Sequence, residues 1–378
     1  MSLRDWLQLA LTDGIGPILT SRLVAAAGGA EGAVRADARL LQSVEGIGPA
    51  KARQIAEALR EASRMVESEW DRCTESGIHL ICLDDAEYPM LLRSIPDPPP
   101  VLYMKGAIEA RDLNAVAIVG SRHCSHYGRE QSERMAALLA GAGITVVSGG
   151  ARGIDSSAHR GALAHPLGRT IAVLGCGVDS VYPPENEMLF SQIAERGAVV
   201  SEFPLGTPPL KENFPRRNRI VSGMSRGVLV IEANLTSGAL ITARQACDDH
   251  GRPVFALPGR VDNELSAGPH ALIRDGAVLT ANLEDILDNL GPLPEGAMVE
   301  QPVSQKAPAP QAGEPALPFS ILSDRQQKVL DGLGADATDV DGIISRTGLA
   351  AEVVLQELTL LSLRGKVKRV EGQRYIRK

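Results

Sequence analysis

Ala115-Val116-Ala117-Ile118-Val119-Gly120-Ser121-Arg122 and, one element later, Ile144-Thr145-Val146-Val147-Ser148-Gly149-Gly150-Ala151-Arg152-Gly153-Ile154-Asp155 decide how this chain folds. Each stretch is a short apolar, β-branched run that stops at glycine, the pattern of a strand buried on both faces. Between them, residues 125–142 carry the small and long-chain side chains that suit a helix. Val116 to Asp155 therefore reads as strand, turn, helix, strand, turn. This is a βαβ unit with both loops at the carboxyl ends of its strands, where open parallel sheets bind ligands.

Working outward, further strands are expected at Thr170–Leu174, Val199–Ser201, Val228–Ile231 and Val254–Leu257, with helices between them, notably Glu187–Arg196 and Ala239–His250. Val101–Met104 is expected at the sheet edge, because Pro98–Pro100 cannot sit in a central strand. The alternation predicts an α/β fold, a Rossmann-like, doubly wound, mostly parallel sheet over residues 76–290. Gly120, Gly149, Gly150, Gly175, Gly177, Glu232 and Gly259 then gather near one edge.

The flanks differ in kind. Residues 1–75 read as a helical, SAM-like or helix-hairpin-helix domain with an internal echo: Gly14-Ile15-Gly16-Pro17 returns as Gly46-Ile47-Gly48-Pro49, each ahead of an amphipathic helix. Such turns leave backbone N–H groups bare at a helix start, where a phosphate can settle, and the second copy resembles the helix-hairpin-helix motif of DNA-backbone binding. A module whose hairpins merely pack is the alternative. Residues 291–318 hold seven prolines among Ala, Gln, Gly and Glu and read as an extended linker. Residues 319–378 read as a winged helix: a capping-box start at Ser323-Asp-Arg-Gln326, helices around Asp341–Thr347 and Ala351–Leu363, and a basic hairpin over Lys366–Val370 and Arg374–Lys378. Duplex DNA and a partner protein are equal prospects for that domain.

Length, 378 residues, fits two or three domains. The net charge of −7 argues against a uniformly basic coat but leaves room for a local basic groove. The five cysteines (73, 82, 124, 176, 247) are scattered without a Cys-x-x-Cys, which points to buried, reduced thiols rather than a metal site. No run is long enough to span a membrane and the N-terminus lacks a signal-peptide pattern, so a cytoplasmic protein is expected.

Anion-binding chemistry is concentrated in three places. Gly120-Ser121-Arg122 offers close backbone approach, hydroxyl and amide donors, and a guanidinium that grips phosphate with two bonds. Ser148-Gly149-Gly150 with Gly153 repeats the arrangement one strand over. Ser237-Gly238 through Thr242 opens a helix directly after a strand, a further phosphate seat, although plain N-capping by Ser237 or Thr236 has the same geometry. Arg216, Arg217 and Arg219, with Asn218 among them and Arg226 near, would repel one another without an anionic partner. A structural set paired with Glu202, Glu212 and Glu232 is the plainer account, and one arginine is open to that use. A groove tracking a single nucleic-acid strand explains the cluster as a whole. A nicotinamide or flavin site is disfavoured because Gly-x-Gly-x-x-Gly is missing. Asp155, Ser156 and His159 supply hydrolase residue types without a nucleophile elbow, and Asp155 and His159 better serve to cap and orient their turn.

In order along residues 85–280, these stretches resemble the DNA-processing protein A family (DprA/Smf). The series runs Tyr88-Pro89, Pro99-Pro100-Val101-Leu102-Tyr103, Gly120-Ser121-Arg122, Ser148-Gly149-Gly150-Ala151-x-Gly153-Ile154-Asp155, Ala158-His159, and Leu174-Gly175-Cys176-Gly177-Val178-Asp179 with Tyr182-Pro183. It continues with Ser201-Glu202-x-Pro204, Phe214-Pro215-x-Arg217-Asn218-Arg219-Ile220, Glu232-Ala233, Ser237-Gly238-Ala-Leu-Ile-Thr242-Ala243 and Pro258-Gly259. The resemblance implies a bacterial single-stranded DNA binder and recombination mediator without catalysis or cofactor, which protects incoming strands during natural transformation and loads RecA recombinase. It implies a homodimer, with single-strand-binding protein a further candidate partner. Carried over by motif, Arg122, Ser148, Gly149, Arg217, Asn218, Arg219 and the Ser237–Gly238 turn would line the strand pocket. Two positions depart from the family: Thr236 stands where a lysine is frequent, and Gly268-Pro269-His270 precedes Leu272-Ile273 where the family often shows Gly-x-Asn-x-Leu-Ile. The rival readings are a phosphoribohydrolase-like, nucleotide-hydrolysing enzyme, whose Pro-Gly-Gly-x-Gly-Thr is broken here at Pro258-Gly259-Arg260-Val261, and a purely structural scaffold.

Overall fold

The computed structural model describes residues 3–291, 324–333, 338–351, 353–354, 358, 361, 367–370 and 374–377. The described residues up to 291 form one compact unit and those from 324 belong to a second. The first begins with five helices: α1 (Leu3–Leu11), α2 (Pro17–Ala27), α3 (Ala30–Val34), α4 (Ala38–Ser43) and the long α5 (Pro49–Glu75). The echoed turns are real. Gly14 and Gly46 adopt φ +82° and +91°, and Gly16 and Gly48 precede helices whose first residue is proline and whose starts carry no side-chain cap.

The sheet follows. Its strands are β1 (His79–Cys82), β2 (Val101–Gly106), β3 (Ala115–Val119), β4 (Thr145–Ser148), β5 (Thr170–Val173), β6 (Ala198–Ser201), β7 (Val228–Val230), β8 (Val254–Ala256) and β9 (Val278–Leu279), in spatial order 1-2-6-5-4-3-7-8-9. From β6 to β9 every pairing is parallel; β2 runs antiparallel to both β1 and β6. The expected strands all appear, within a residue or so of their ends. Two were not foreseen, β1 and β9, and β1 takes the edge place expected of β2. Short α6 (Met90–Arg93) precedes β2, and α7 (His126–Gly141), α8 (Ile154–Ala164), α9 (Glu187–Arg196), α10 (Asn213–Gly223), α11 (Gly238–Arg244), α12 (Ala267–Arg274) and α13 (Leu283–Leu287) fill the later connections. The expected helix 239–250 is α11 continued by one wider turn, Gln245–Asp249.

Alternation along the strands sends side chains to two cores. Ala115, Ala117 and Val119 pack with Ile220, Val221, Leu240 and Ala243 on one face. Val116 and Ile118 pack with Met135, Leu139, Ile154 and Ala158 on the other. The order reverses at β3, because the chain winds outward through β4, β5 and β6 and then returns to place β7 on the opposite side. The crevice in which such sheets bind ligands thus opens beyond the carboxyl ends of β3 and β7.

The helical module is not a separate body. Leu59, Val66 and Cys73 share one apolar cluster with Cys82, Val101, Tyr103 and Leu205. The Trp6 indole donates to Asp84 (2.8 Å), and buried Glu69 accepts the amide of Leu205 (2.8 Å). A boundary at residue 75 therefore cuts through a continuous core. Cys73, Cys82 and Cys176 are buried as expected, but Cys124 is half-buried and Cys247 exposed; all five are free. Burial pushes the Cys73 thiol up to about 12 and Cys82 to about 11, which keeps them unreactive.

The second unit has the winged-helix ingredients: α14 (Asp324–Gly332), β10 (Thr338–Asp339), α15 (Val340–Thr347), helical residues at 351, 353, 354, 358 and 361, and a hairpin of β11 (Val367–Val370) with β12 (Arg374–Arg377) in a sheet ordered 10-12-11. Val329, Leu330, Ile343, Val354, Leu358 and Leu361 form its core. The proline-rich stretch at 292–318 and the capping box at Ser323 lie outside the described residues. Among the described residues no helix is long and apolar enough to cross a membrane.

Candidate nucleic-acid interface

A cleft of about 310 Å³ opens at the switch point. Gly120, Ser121 and Arg122 enter it from the end of β3, Gly149 and Asp155 from the β4 side, Arg217 and Asn218 from α10, and Ser237, Gly238 and Thr242 from the start of α11. Several residues of the lining had not been singled out: Asn234 lies in the loop four residues beyond the end of β7, and Val221 and Ile241 lie on α10 and α11. Position after a strand end was the available signal for Asn234.

Arg122 is the accessible cation here. It is exposed and lies over the Phe214 ring, 4.7 Å from its centroid, so the ring fixes its guanidinium without neutralising it. Arg217 is its fixed counterpart. It is buried, its Nη1 donates to the Val173 carbonyl (2.7 Å), and its Nε has no partner. A Cβ on Gly149 would fall 1.8 Å from Arg217 Nη1, so only glycine leaves room for that guanidinium. Asp155 lies close enough to feel Arg217. Burial nevertheless holds its carboxyl above the ordinary range, while burial also lowers the Arg217 pKa. One buried carboxylate thus faces two arginines, and the cleft keeps a positive excess.

Around these cations are backbone donors and short hydroxyls. Ser237 caps α11: its Oγ accepts the Ala239 amide at 3.3 Å and its carbonyl accepts the Leu240 amide at 3.1 Å, so the plain capping role holds. Asn218 donates to the Gly238 carbonyl (3.4 Å) and ties α10 to that start. Thr236 is exposed in the cleft and bonds Asn234 at 3.1 Å, which places a hydroxyl where the family frequently has an ammonium. His270 lies at the α12 start, its Nε2 3.1 Å from the Gly259 carbonyl.

Five of the expected residues lie elsewhere. Arg219 is buried and paired with Glu202 (2.5 Å) and Asp97 (3.0 Å), the structural role open to one arginine of the cluster. Arg216 is exposed on another side of α10, over the Phe203 ring at 5.2 Å. Ser148 is fully buried and donates to the Ile118 carbonyl (2.6 Å). Gly150 turns its free side to Phe190, and Gly153, at φ +74°, lies against the Ser121 carbonyl. Arg226 is structural too, held by Asn114 (2.7 Å) and the carbonyls of Leu290 and Gly291. Glu232 takes neither expected role. It accepts the Ser125 amide (2.8 Å) and hydroxyl (2.6 Å), and so anchors the start of α7.

His159 is fully buried, bonded through Nδ1 to the Thr170 hydroxyl (2.7 Å), with Nε2 unpartnered. Burial first, then the charges of Arg217 and Arg160, bring its pKa down from 6.5 to about 3. Unfolded, the imidazole binds a proton below about 6.5; folded, only near 3. Folding stability from this group is therefore lost as pH falls through that window, at up to about 1.4 kcal/mol per pH unit. Asp155 and Glu202, both raised by burial, act in the opposite sense, so the comparison must isolate the histidine. We expect urea unfolding to show wild type losing stability relative to His159→Gln between pH 6.5 and 4; parallel curves would exclude the effect.

The geometry now meets known proteins. The family model described as DNA recombination-mediator protein A matches residues 79–291. The chain belongs to the DNA recombination-mediator protein A family. A second model, the DprA winged helix domain, matches residues 306–373. Protein Smf of Synechocystis is 35% identical over 99% of this chain and 98% of its own length; Protein Smf of Escherichia coli is 40% identical, over 85% and 83%. The X-ray structure of DNA processing protein A from Streptococcus pneumoniae is similar at TM-score 0.65 and 33% identity, covering 76% of this chain and 98% of that one. The Helicobacter pylori DNA processing protein A, solved for its single-stranded DNA binding mode, is similar at TM-score 0.51 and 32% identity, covering 56% and 95%. The cleft, both arginines and the glycine that admits Arg217 all lie within the span matched to this family.

Proposed function

We propose that this chain binds single-stranded DNA in the switch-point cleft and acts as a recombination mediator, without catalysis of its own. It would protect incoming strands during natural transformation and hand them to RecA recombinase, as a cytoplasmic homodimer. The observation that carries the reading is the convergence of Arg122 and Arg217 on one cleft with Ser237, Gly238 and Thr242 at the start of α11. Phosphates can be gripped there by guanidinium and hydroxyl, which tracks a backbone and ignores sequence. Phe214 is the aromatic side chain lining the cleft, so base stacking contributes little beyond one step. Membership of the family and the Helicobacter pylori relative's single-stranded DNA binding support the reading. The nucleotide-hydrolysing alternative needs a free acid, and Glu232 is occupied by Ser125.

Calorimetric titration with oligo-dT at several salt concentrations tests it. Affinity should fall with salt by about 0.7 log units per decade for each contacted phosphate. Titrations without heat at low salt, or release of free base from nucleoside monophosphates, would reject it. Handover is tested by RecA filament formation on strands coated with single-strand-binding protein, which the full chain should accelerate.

A further inference from the structure

Arg122 is shared between the switch-point cleft and a second opening of about 470 Å³ at the start of α8. The lining of that opening holds Arg122, Arg129, Arg152 and Arg160 against a single carboxylate, Glu185. Glu185 is taken by Arg152, which donates to it from Nη2 (3.0 Å) and from Nε. Arg129 and Arg160 are exposed, with no ion pair to any described residue. Three guanidiniums thus face one space with no anion among them, an arrangement that like-charge repulsion disfavours until a counter-charge arrives.

Helix α8 starts at this opening, and backbone carbonyls hold its start: the Ile154, Ser156 and Ser157 amides donate to Ser121, Ala151 and Gly153. In the turn that follows, Ser157 lines the opening, is fully buried, and carries a hydroxyl without a partner. Its neighbour Ser156 shows the contrast, because that hydroxyl donates to the Ala151 carbonyl (2.6 Å) and accepts from Asn186 (2.8 Å). Buried hydroxyls are ordinarily satisfied, so an orphan beside an arginine cluster marks a site that completes itself with a ligand.

We propose that this opening is a second phosphate seat, taking the backbone of the same DNA strand as it leaves the first cleft across Arg122. The proposal rests on the strand-binding reading of the first cleft and extends it. The strand bends around one guanidinium, with the α11 start on one side and the α8 start on the other. Arg129 and Arg160 then set how much strand one protomer covers rather than whether it binds.

The test uses the full chain, its double variant Arg129→Ala/Arg160→Ala, and Ser157→Ala, titrated with an oligo-dT ladder and with inorganic phosphate. In the wild type, affinity should step up once the oligomer outgrows the first cleft. The double variant should bind the shortest oligomers as wild type does and lose the step, on the order of 10-fold or more, with a salt slope shallower by about 1.4. Ser157→Ala should lose part of the step without a lower melting temperature, since its hydroxyl makes no bond to give up. A step that survives in the double variant, or an equal loss at every length, overturns the second seat. A wild type without a step, but with inorganic phosphate binding that the double variant lacks, assigns the opening to a free anion and overturns the strand path. Failure of Arg122→Ala to weaken any oligomer would instead sink the first cleft, so the two readings fail separately.

Discussion

Replacing Arg122 with alanine is expected to weaken oligo-dT binding about 10- to 100-fold, the loss of a charged hydrogen bond worth about 1.5–3 kcal/mol. Stability should change by no more than about 1 kcal/mol, since the exposed side chain gives up only its contact with Phe214. Sequence should not matter: poly-dT and mixed strands should lose alike, because a phosphate contact carries no base information. Fluorescence anisotropy with strands of different composition reads this directly. Unchanged affinity, or a loss confined to one base, would remove Arg122 from the backbone path. Arg217 is the poorer probe despite its place in the same cleft. It is buried against the Val173 carbonyl and Asp155, so its removal confounds binding with folding.

The largest effect on folding is expected far from the cleft, at Arg169. This guanidinium is 5% exposed and holds the carboxylate of Asp112 through Nε (2.6 Å) and Nη2 (2.8 Å). It also bonds Glu109 (3.1 Å), the Arg196 carbonyl (3.2 Å) and the Ala107 carbonyl. The Thr145 hydroxyl completes Asp112 at 2.8 Å. Asp112 precedes β3 and Arg169 precedes β5, so the network clamps the amino ends of the strands, opposite the cleft. Arg169→Leu leaves a buried carboxylate alone, which costs about 3–5 kcal/mol. Urea unfolding should show that loss, and oligo-dT affinity of the folded fraction should hold. Asp112→Leu/Arg169→Leu should recover much of it, because two matched apolar groups replace a broken ion pair. A double variant no better than the single would show that the network is held by something other than charge pairing.

How far residues alone revealed this molecule varies by element. β3 to β8 were legible because buried β-branched runs ending in glycine leave a strong local mark. β1 and β9 were not: His79-Leu-Ile-Cys82 and Val278-Leu279 are too short for a period to show, and only their pairing with β2 and β8 makes them strands. The arginine cluster was legible as charge and illegible as direction. Residues 213–223 form α10, where each step turns the side chain by about 100°. Arg216, Arg217 and Arg219 consequently point three ways: toward Phe203, into the cleft, and onto Glu202 with Asp97. The second opening was hidden for a related reason, since Arg129 and Arg160 lie 31 positions apart on different helices. The Arg169–Asp112 clamp joins residues 57 positions apart and leaves no local trace.

Helix α5 has a practical corollary. Over 27 residues, about 40 Å, it runs from the second Gly-Ile-Gly-Pro turn to the edge of β1, and its inner stripe shares a core with Tyr103 and Leu205. A fragment starting near residue 76 would strip that surface bare and be prone to self-association. Its solubility and melting behaviour would then report on the amputation rather than on the sheet. Dissection that keeps residues 3–291 together is the informative cut.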